Sequence, residues 1–292
     1  MIRSLCIILV FLMFSCSDKK DETKRAKVAV TNFPVKWLVE SISGNNVDVI
    51  YNVPGDIDPA YWEPTDSDIT AMQEADLILL SGATYEKWLT SVELPASKMV
   101  DTSKDCKKMF ITIKDAEVHE HNGKKHSHDG TDFNIWLDAY ILSIQAEEVL
   151  NQLIKLNPKM EEEYKKNHKA LVADVKSIFM EINKVSASQK QYLASHPVYD
   201  YLARANGWKV KNFHWEPEVM PSEEEWQKLK EALSHSKYML YEDEPSKEIV
   251  AKLNELGVKV IVFRTGGNTP PSKDLIKEMK SNLENLKKAL VK

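Results

Sequence analysis

Four of the chain's eight histidines fall within ten residues, at His119, His121, His126 and His128. Glu120, Asn122, Gly123, Lys124, Lys125, Asp129 and Gly130 interleave with them. Neutral imidazole is the commonest protein ligand for divalent transition metals. A histidine-dense polar tract is therefore a compositional signal for metal binding. The run from Val118 to Thr131 holds nothing that could bury an apolar face, so a mobile loop is expected there. A solvated loop with incidental histidines is the plainer reading, and the density of imidazoles favours metal contact over it.

Chemistry-bearing residues recur after short apolar runs further along. Ser195-His196-Pro197-Val198-Tyr199 places His196 just past one such run, and Tyr241-Glu242-Asp243-Glu244-Pro245 places Glu242 just past another. One histidine and one carboxylate from neighbouring strand ends are half of a metal site. The structural alternatives are a buried, hydrogen-bonded His196 and a helix-capping Glu242. His214, in His214-Trp215-Glu216-Pro217, is either a ligand or a hydrogen-bonding residue of the cleft wall. His168 and His235 lie on predicted helices and are expected at the surface. Tyr61, Trp62, Trp136 and Trp215 are expected to line a cleft; Trp37, Trp88, Trp208 and Trp226 have spacing suited to core packing.

Strands and helices alternating along the chain must position these groups. Val28 to Thr31 reads as a strand, Pro34 to Ile42 as a helix ended by Gly44, and Val47 to Val53 as a strand. Thr65 or Asp66 caps a helix to Glu74, Asp76 to Leu80 is a buried strand, Tyr85 to Leu89 is helical, and Met99 starts another strand. After the histidine tract, Ile135 to Lys155 reads as a helix broken by Pro158. A long helix then runs to Val185, with apolar residues near a 3.6-residue period. The rhythm restarts with strands at Gln191 to Ala194, Lys209 to His214, Tyr238 to Tyr241 and Val258 to Phe263. Helices at Val198 to Ala205, Pro221 to Leu233, Pro245 to Leu256 and Pro271 onward separate and follow them. Ser222 and Glu225 have capping-box spacing. This βαβ rhythm predicts an α/β chain of two lobes, each a mostly parallel sheet flanked by helices, joined by one long helix. Ligands of such sheets bind beyond the carboxyl ends of the strands.

The expected organisation is a signal peptide over 1–16, a tether over 17–26, a first lobe over 27–157 with the histidine tract at 118–131, a linking helix over 158–187 and a second lobe over 188–292. Met1-Ile2-Arg3 and the apolar run Leu5 to Phe14 form the signal, too short to span a membrane as a helix. Ser15-Cys16 resembles a bacterial lipoprotein cleavage site, with Cys16 as the lipid attachment. Ser17 to Ala26 is polar and suits a flexible tether. The chain has three cysteines, and beyond Cys6 and Cys16 only Cys106 remains, which excludes an intrachain disulfide and a thiolate zinc site. Net charge is −5 with no basic patch, so a nucleic-acid partner has no support.

The order of these features resembles the metal-binding receptors of bacterial ABC importers, the zinc and manganese group of ZnuA type. Gly55 to Thr65 is similar to the family's first-ligand loop, including Asp58-Pro59 and Glu63-Pro64-Thr65. Ala75 to Gly82 and Trp136-Leu137-Asp138 match two further motifs. His196 stands where the family has its third histidine, and Glu242 where it has an acidic ligand. The histidine tract precedes the second motif, as in zinc-selective members. The likeness covers Lys27 to Lys292. It departs at two places: Ala60 stands where the first ligand histidine would be, and Asn134 where the second would be.

The resemblance implies an exported solute-binding protein with no chemical step. It is expected to be lipid-anchored, at the periplasm or cell surface, and monomeric. It would capture a divalent metal in an interlobe cleft, zinc first and manganese or another ion second, and pass it to an ABC permease and its ATPase. The missing ligands are expected from His119, His121, His126 and His128, with Glu63, His214 or Glu244 filling remaining positions beside His196 and Glu242. The alternatives are a receptor for a chelated metal or small organic solute, and a cleft enzyme such as a chelatase.

Overall fold

The computed structural model of the chain describes residues 25–113 and 130–290, and the backbone of two short strands at 119–121 and 124–126. The first lobe carries β1 (Ala26–Val30), β2 (Val47–Ile50), β3 (Leu77–Leu80) and β4 (Met99–Asp101), all parallel in the order β2-β1-β3-β4. Helices α1 (Phe33–Ser43) and α2 (Asp66–Glu74) connect these strands. α1 opens with the Asn32 side chain accepting from Val35 N–H and closes at Gly44. α2 opens on a capping box between Thr65 and Asp68. These caps satisfy amide donors that the first helical turn leaves without intrahelical partners.

Two small antiparallel pairs lie between the first sheet and the next helix. β5 (Thr112–Ile113) pairs with β8 (Gly130–Thr131), and β6 (His119–His121) pairs with β7 (Lys124–His126). The polar tract expected to be a mobile loop therefore carries two paired strands in its backbone. Polar composition forecasts the lack of a buried face, but backbone pairing needs none. The side chains of His119, His121 and His126, and His128 altogether, lie outside the described residues. So do the expected signal peptide, Cys16 and most of the tether.

α3 (Ala139–Leu156) and α4 (Glu161–Val185) follow. α4 has 25 residues, so it is about 37 Å long at 1.5 Å per residue. It buries Tyr164, Leu171, Val175, Ile178, Phe179 and Ile182 along one stripe. The second lobe has β9 (Gln191–Ala194), α5 (Asp200–Asn206), β10 (Lys209–Asn212), α6 (Glu223–Ala232), β11 (Tyr238–Tyr241), α7 (Lys247–Glu255), β12 (Lys259–Val262) and α8 (Leu275–Leu290). Its parallel sheet runs β10-β9-β11-β12, the same relative order as the first.

α4 packs against α1, α3 and α8. One apolar core runs through both lobes, from Val28 and Phe33 through Trp136, Ile178 and Tyr199 to Phe263 and Leu286. Polar stitches reinforce it. Asn268 of the second lobe donates to Pro54 O and Ile57 O, both at 2.7 Å, and accepts from Tyr51 OH at 2.7 Å. The Trp136 indole donates to Thr265 O at 2.8 Å. Gly267 lets this backbone pass, since a Cβ there would sit 3.1 Å from the Trp136 ring. The lobes are thus packed as one body.

Candidate metal site

Both sheets have a topological switch point, where the strand order reverses and a crevice opens beyond the carboxyl ends. In the first lobe this point lies between β1 and β3. The chain fills it with its own Glu86, whose carboxyl accepts from Thr31 Oγ1 at 2.6 Å and Ser81 N–H at 2.7 Å. Burial pushes the Glu86 carboxyl up to about 7, against the pull of those donors.

In the second lobe the switch point lies between β9 and β11, and His196 and Glu242 occupy it. Leu240 O accepts from Ser195 N–H at 2.9 Å, which carries the β9–β11 ladder up to the histidine. Ala194 O accepts from Phe213 N–H and Ser195 O from Trp215 N–H, both at 2.9 Å, so the chain after β10 stays in register beside His196. Phe213 and Trp215 are buried in the second lobe's own core. Side chains alternate faces along an extended chain, so His214 and Glu216 project opposite to those aromatics.

Three groups meet at His196, whose ring is 2% exposed. Glu242 Oε1 lies 3.0 Å from Nδ1. Glu216 Oε1 lies 3.6 Å from Nε2. The His214 ring stands perpendicular, with centroids 6.4 Å apart. Burial pulls the His196 imidazole down, but hydrogen bonding and charge from Glu216 and Glu242 outweigh it and raise the ring to about 9. Two carboxylates about the ring thus favour its protonated form. An ion that binds a protonated imidazole nitrogen must displace its proton.

Glu242 does not cap a helix; the N-cap of α7 is Ser246, which accepts from Ile249 N–H. Arg264, two residues past β12, collects the next two acids of the same loop. Its Nε and Nη2 donate to Asp243 Oδ1 at 3.1 and 2.8 Å, and Nη2 lies 3.8 Å from Glu244. Glu244 is thus an exposed partner of Arg264 rather than of His196. Glu63 is exposed on the first lobe, just before the α2 cap.

The two positions where the resemblance has histidines are closed. Ala60 is 0% exposed in a single turn over Pro59–Tyr61, with its N–H on Asp58 Oδ1 at 2.9 Å. Asn134 is 7% exposed and spends both backbone and side-chain N–H on Asp132 Oδ1, at 2.9 and 3.2 Å. Burial raises the Asp132 carboxyl to about 7. Among the described residues, no group of three or more His, Cys, Asp and Glu is already gathered to hold a metal ion.

The aromatics expected to line a cleft are packed instead. Trp62 lies edge-on to Trp88, Trp215 to Trp226 and Trp136 to Tyr85. Trp62, Trp136 and Trp215 are buried, and Tyr61 is half-buried. Trp62, Trp136 and Trp215 therefore pack in the core rather than lining a cleft. His168, expected at the surface, is half-buried on α4 with Nε2 3.4 Å from Glu147. Glu216 was not singled out from sequence. The alternation Phe213-His214-Trp215-Glu216, two apolar and two polar residues in turn, is the signal that finds it.

Two parallel α/β lobes sharing a core, braced by one long helix, with a histidine between carboxylates at a switch point, define a two-lobed solute-binding protein. Within that class the chain belongs to the zinc-uptake complex component A family, whose model matches residues 28–289. It is similar to the high-affinity zinc uptake system protein ZnuA of Bacillus subtilis, at 28% identity over 98% of this chain and 95% of that one. It is also similar to the zinc-binding protein AdcA of Streptococcus pyogenes, at 26% identity over 96% of this chain, which spans 59% of AdcA. The structure of the metal-dependent lipoprotein YcdH from Bacillus subtilis superposes with a TM-score of 0.76 at 25% identity, covering 92% of this chain and all of that one. The Zn(II)-bound ZnuA-like domain of Streptococcus pneumoniae AdcA shares the fold, with a TM-score of 0.74 at 18% identity over 92% of this chain and all of that domain. Among the described residues no helix is long and apolar enough to cross a membrane.

Proposed function

We propose that this protein is the extracytoplasmic receptor of a zinc importer. It captures Zn²⁺ at the strand ends and hands it to an ABC permease driven by its ATPase. The observation that carries this is His196, buried at the switch point of the second lobe and flanked by Glu216 and Glu242. Membership of the zinc-uptake family supports it, as do relatives named for zinc uptake and zinc binding. Cys16 is the proposed lipid anchor that keeps the receptor at the membrane as a monomer, and the polar residues 17–26 are the tether. A related streptococcal AdcA is named a zinc-binding lipoprotein, which supports the anchor. The reading needs no chemical step: imidazole and carboxylate bind the ion, and protonation of the ring favours its release.

The test is a competition titration of the purified protein against a chromophoric zinc chelator. The expected result is transfer of one zinc per chain to a site of submicromolar affinity, with proton release. Failure of the protein to take zinc from the chelator would remove the receptor reading.

A further inference from the structure

Each strand of the second sheet carries a lysine at its amino end. Lys190 immediately precedes β9, Lys209 opens β10, Lys237 immediately precedes β11 and Lys259 opens β12. Backbone pairing sets them in line: Lys209 N–H donates to Lys190 O at 2.7 Å, and Lys259 N–H to Lys237 O at 2.8 Å. Neighbouring strands lie about 4.8 Å apart, so the order β10-β9-β11-β12 spreads the four over about 14 Å. No basic run marks the row in the sequence, because sheet pairing alone gathers residues scattered between 190 and 259. Lys209, Lys237 and Lys259 are exposed, and Lys190 is half-buried. Among the described residues, none of the four ammonium groups lies within 4.0 Å of a carboxylate oxygen. Lysines at such edges commonly hold the last carbonyls of a helix. That accounts for Lys190, which donates to Asn206 O at 2.9 Å, and for Lys259, which donates to Ala289 O at 3.1 Å. It does not account for Lys209 and Lys237. The first sheet has the same relative strand order, yet the corresponding places hold Arg25, Asn46, Asp76 and Lys98. There Arg25 is spent on Asp48 at 2.6 Å and Lys98 on Gln73 O at 2.8 Å. The row is therefore a property of one lobe and not a demand of the fold.

We infer that this lysine row is a docking surface for anionic lipid headgroups, a second membrane contact that rests on the proposed lipid anchor at Cys16. The long helix sets its distance from the tether. At the start of α4, Asn167 donates to Ile42 O at 3.0 Å, beside the loop where Arg25 donates to Asn45 O at 3.1 Å and the tether enters. Just past the end of α4, Ser186 Oγ accepts from the Trp208 indole at 3.0 Å, next to Lys209. The tether and the row thus stand at opposite ends of a 25-residue helix, about 37 Å apart. A lipid on a flexible polar tether holds a protein near a bilayer without fixing its orientation. Each basic side chain close to an anionic bilayer adds attraction, which fades within a Debye length. Four lysines in line therefore act only when their edge of the sheet faces the lipid. A straight row of point charges suits a flat field of phosphates better than the concave pocket a single small solute needs. The row and His196 lie at opposite ends of β9, so lipid at one edge leaves the other open to its ion.

Vesicle co-sedimentation tests this, using the chain from residue 17 onward, which holds the whole described fold and carries no lipid. The vesicles are pure phosphatidylcholine or an equimolar mixture with phosphatidylglycerol. The protein should sediment with the anionic vesicles and not with the neutral ones, and added salt should release it. The triple variant Lys209→Glu, Lys237→Glu, Lys259→Glu should lower the bound-to-free ratio at least tenfold. A control with the same charge change on the exposed face of α4, Lys166→Glu, Lys169→Glu, Lys176→Glu, should lower it less than threefold. All six positions are exposed, so both variants should fold, and circular dichroism checks that they do. Wild-type protein left in the supernatant with anionic vesicles would overturn the surface. So would a row variant that sediments like the wild type, or a control that loses as much. Binding to inorganic polyphosphate with none to the vesicles would overturn it in favour of a soluble polyanion. A full-length chain that takes up no labelled fatty acid at Cys16 in a bacterial host would remove the anchor itself, and the second contact with it.

Discussion

Replacing His196 by alanine is expected to lower zinc affinity at least about 100-fold, roughly 2.8 kcal/mol. The ring is the only donor here that is both buried and aimed from the centre of the sheet; Glu216 and Glu242 are partly exposed and reach it from the flanking strands. Without it, Glu216, Glu242 and His214 are left around the place with no central imidazole between the two carboxylates. The residue follows a four-residue strand whose last three residues are buried, so shortening it to alanine leaves the backbone supported. Calorimetry on the purified variant measures the effect. An affinity within threefold of wild type would show that His196 is a structural histidine.

The second large effect is on the fold. Trp136→Ala should destabilise the protein by about 3–5 kcal/mol, the usual range for deleting a buried aromatic. Trp136 is 2% exposed, meets Tyr85 edge-on at 5.6 Å, and donates across the lobe boundary to Thr265 O. Its loss opens a cavity beside Gly267 and leaves a backbone carbonyl without its donor. Because both lobes share this core, unfolding should stay a single transition, with its midpoint lowered by about 10 °C. Two separate melting steps in the wild type would show that the lobes are held independently, and a loss below 1 kcal/mol would show that Trp136 is not a principal link.

Much of this architecture is readable in the residues. The strands Gln191–Ala194 and Tyr238–Tyr241 fall where short apolar runs bounded by polar residues put them. The capping boxes at Thr65 and Ser222 mark helix starts because their side chains satisfy the first amides locally. Helix starts without such a cap are less legible. α5 begins at Asp200, two residues after Val198, because the His196-Pro197 stretch is spent on the site. α8 begins at Leu275 rather than Pro271, because Lys273 adopts a left-handed φ of 52° before the helix can start.

The site divides in the same way. His196 and Glu242 stand within two residues of strand ends, and position alone singles them out. Glu216 is four residues beyond the end of its strand, and only the continuation of the β9–β10 ladder through Trp215 brings it to the ring. The tryptophans mislead because an aromatic near a functional motif looks the same in sequence whether it faces a cleft or a core. Tertiary packing decides that, and here it sends Trp62, Trp136 and Trp215 inward.

The central claim is that the ion sits on His196 of the second lobe. Anomalous diffraction at the zinc absorption edge, on crystals of the zinc-loaded protein, tests it most directly. The predicted result is one strong peak about 2.1 Å from His196 Nε2, between that atom and Glu216. A peak at the histidine tract or between Ala60 and Asn134, with none at His196, would contradict it.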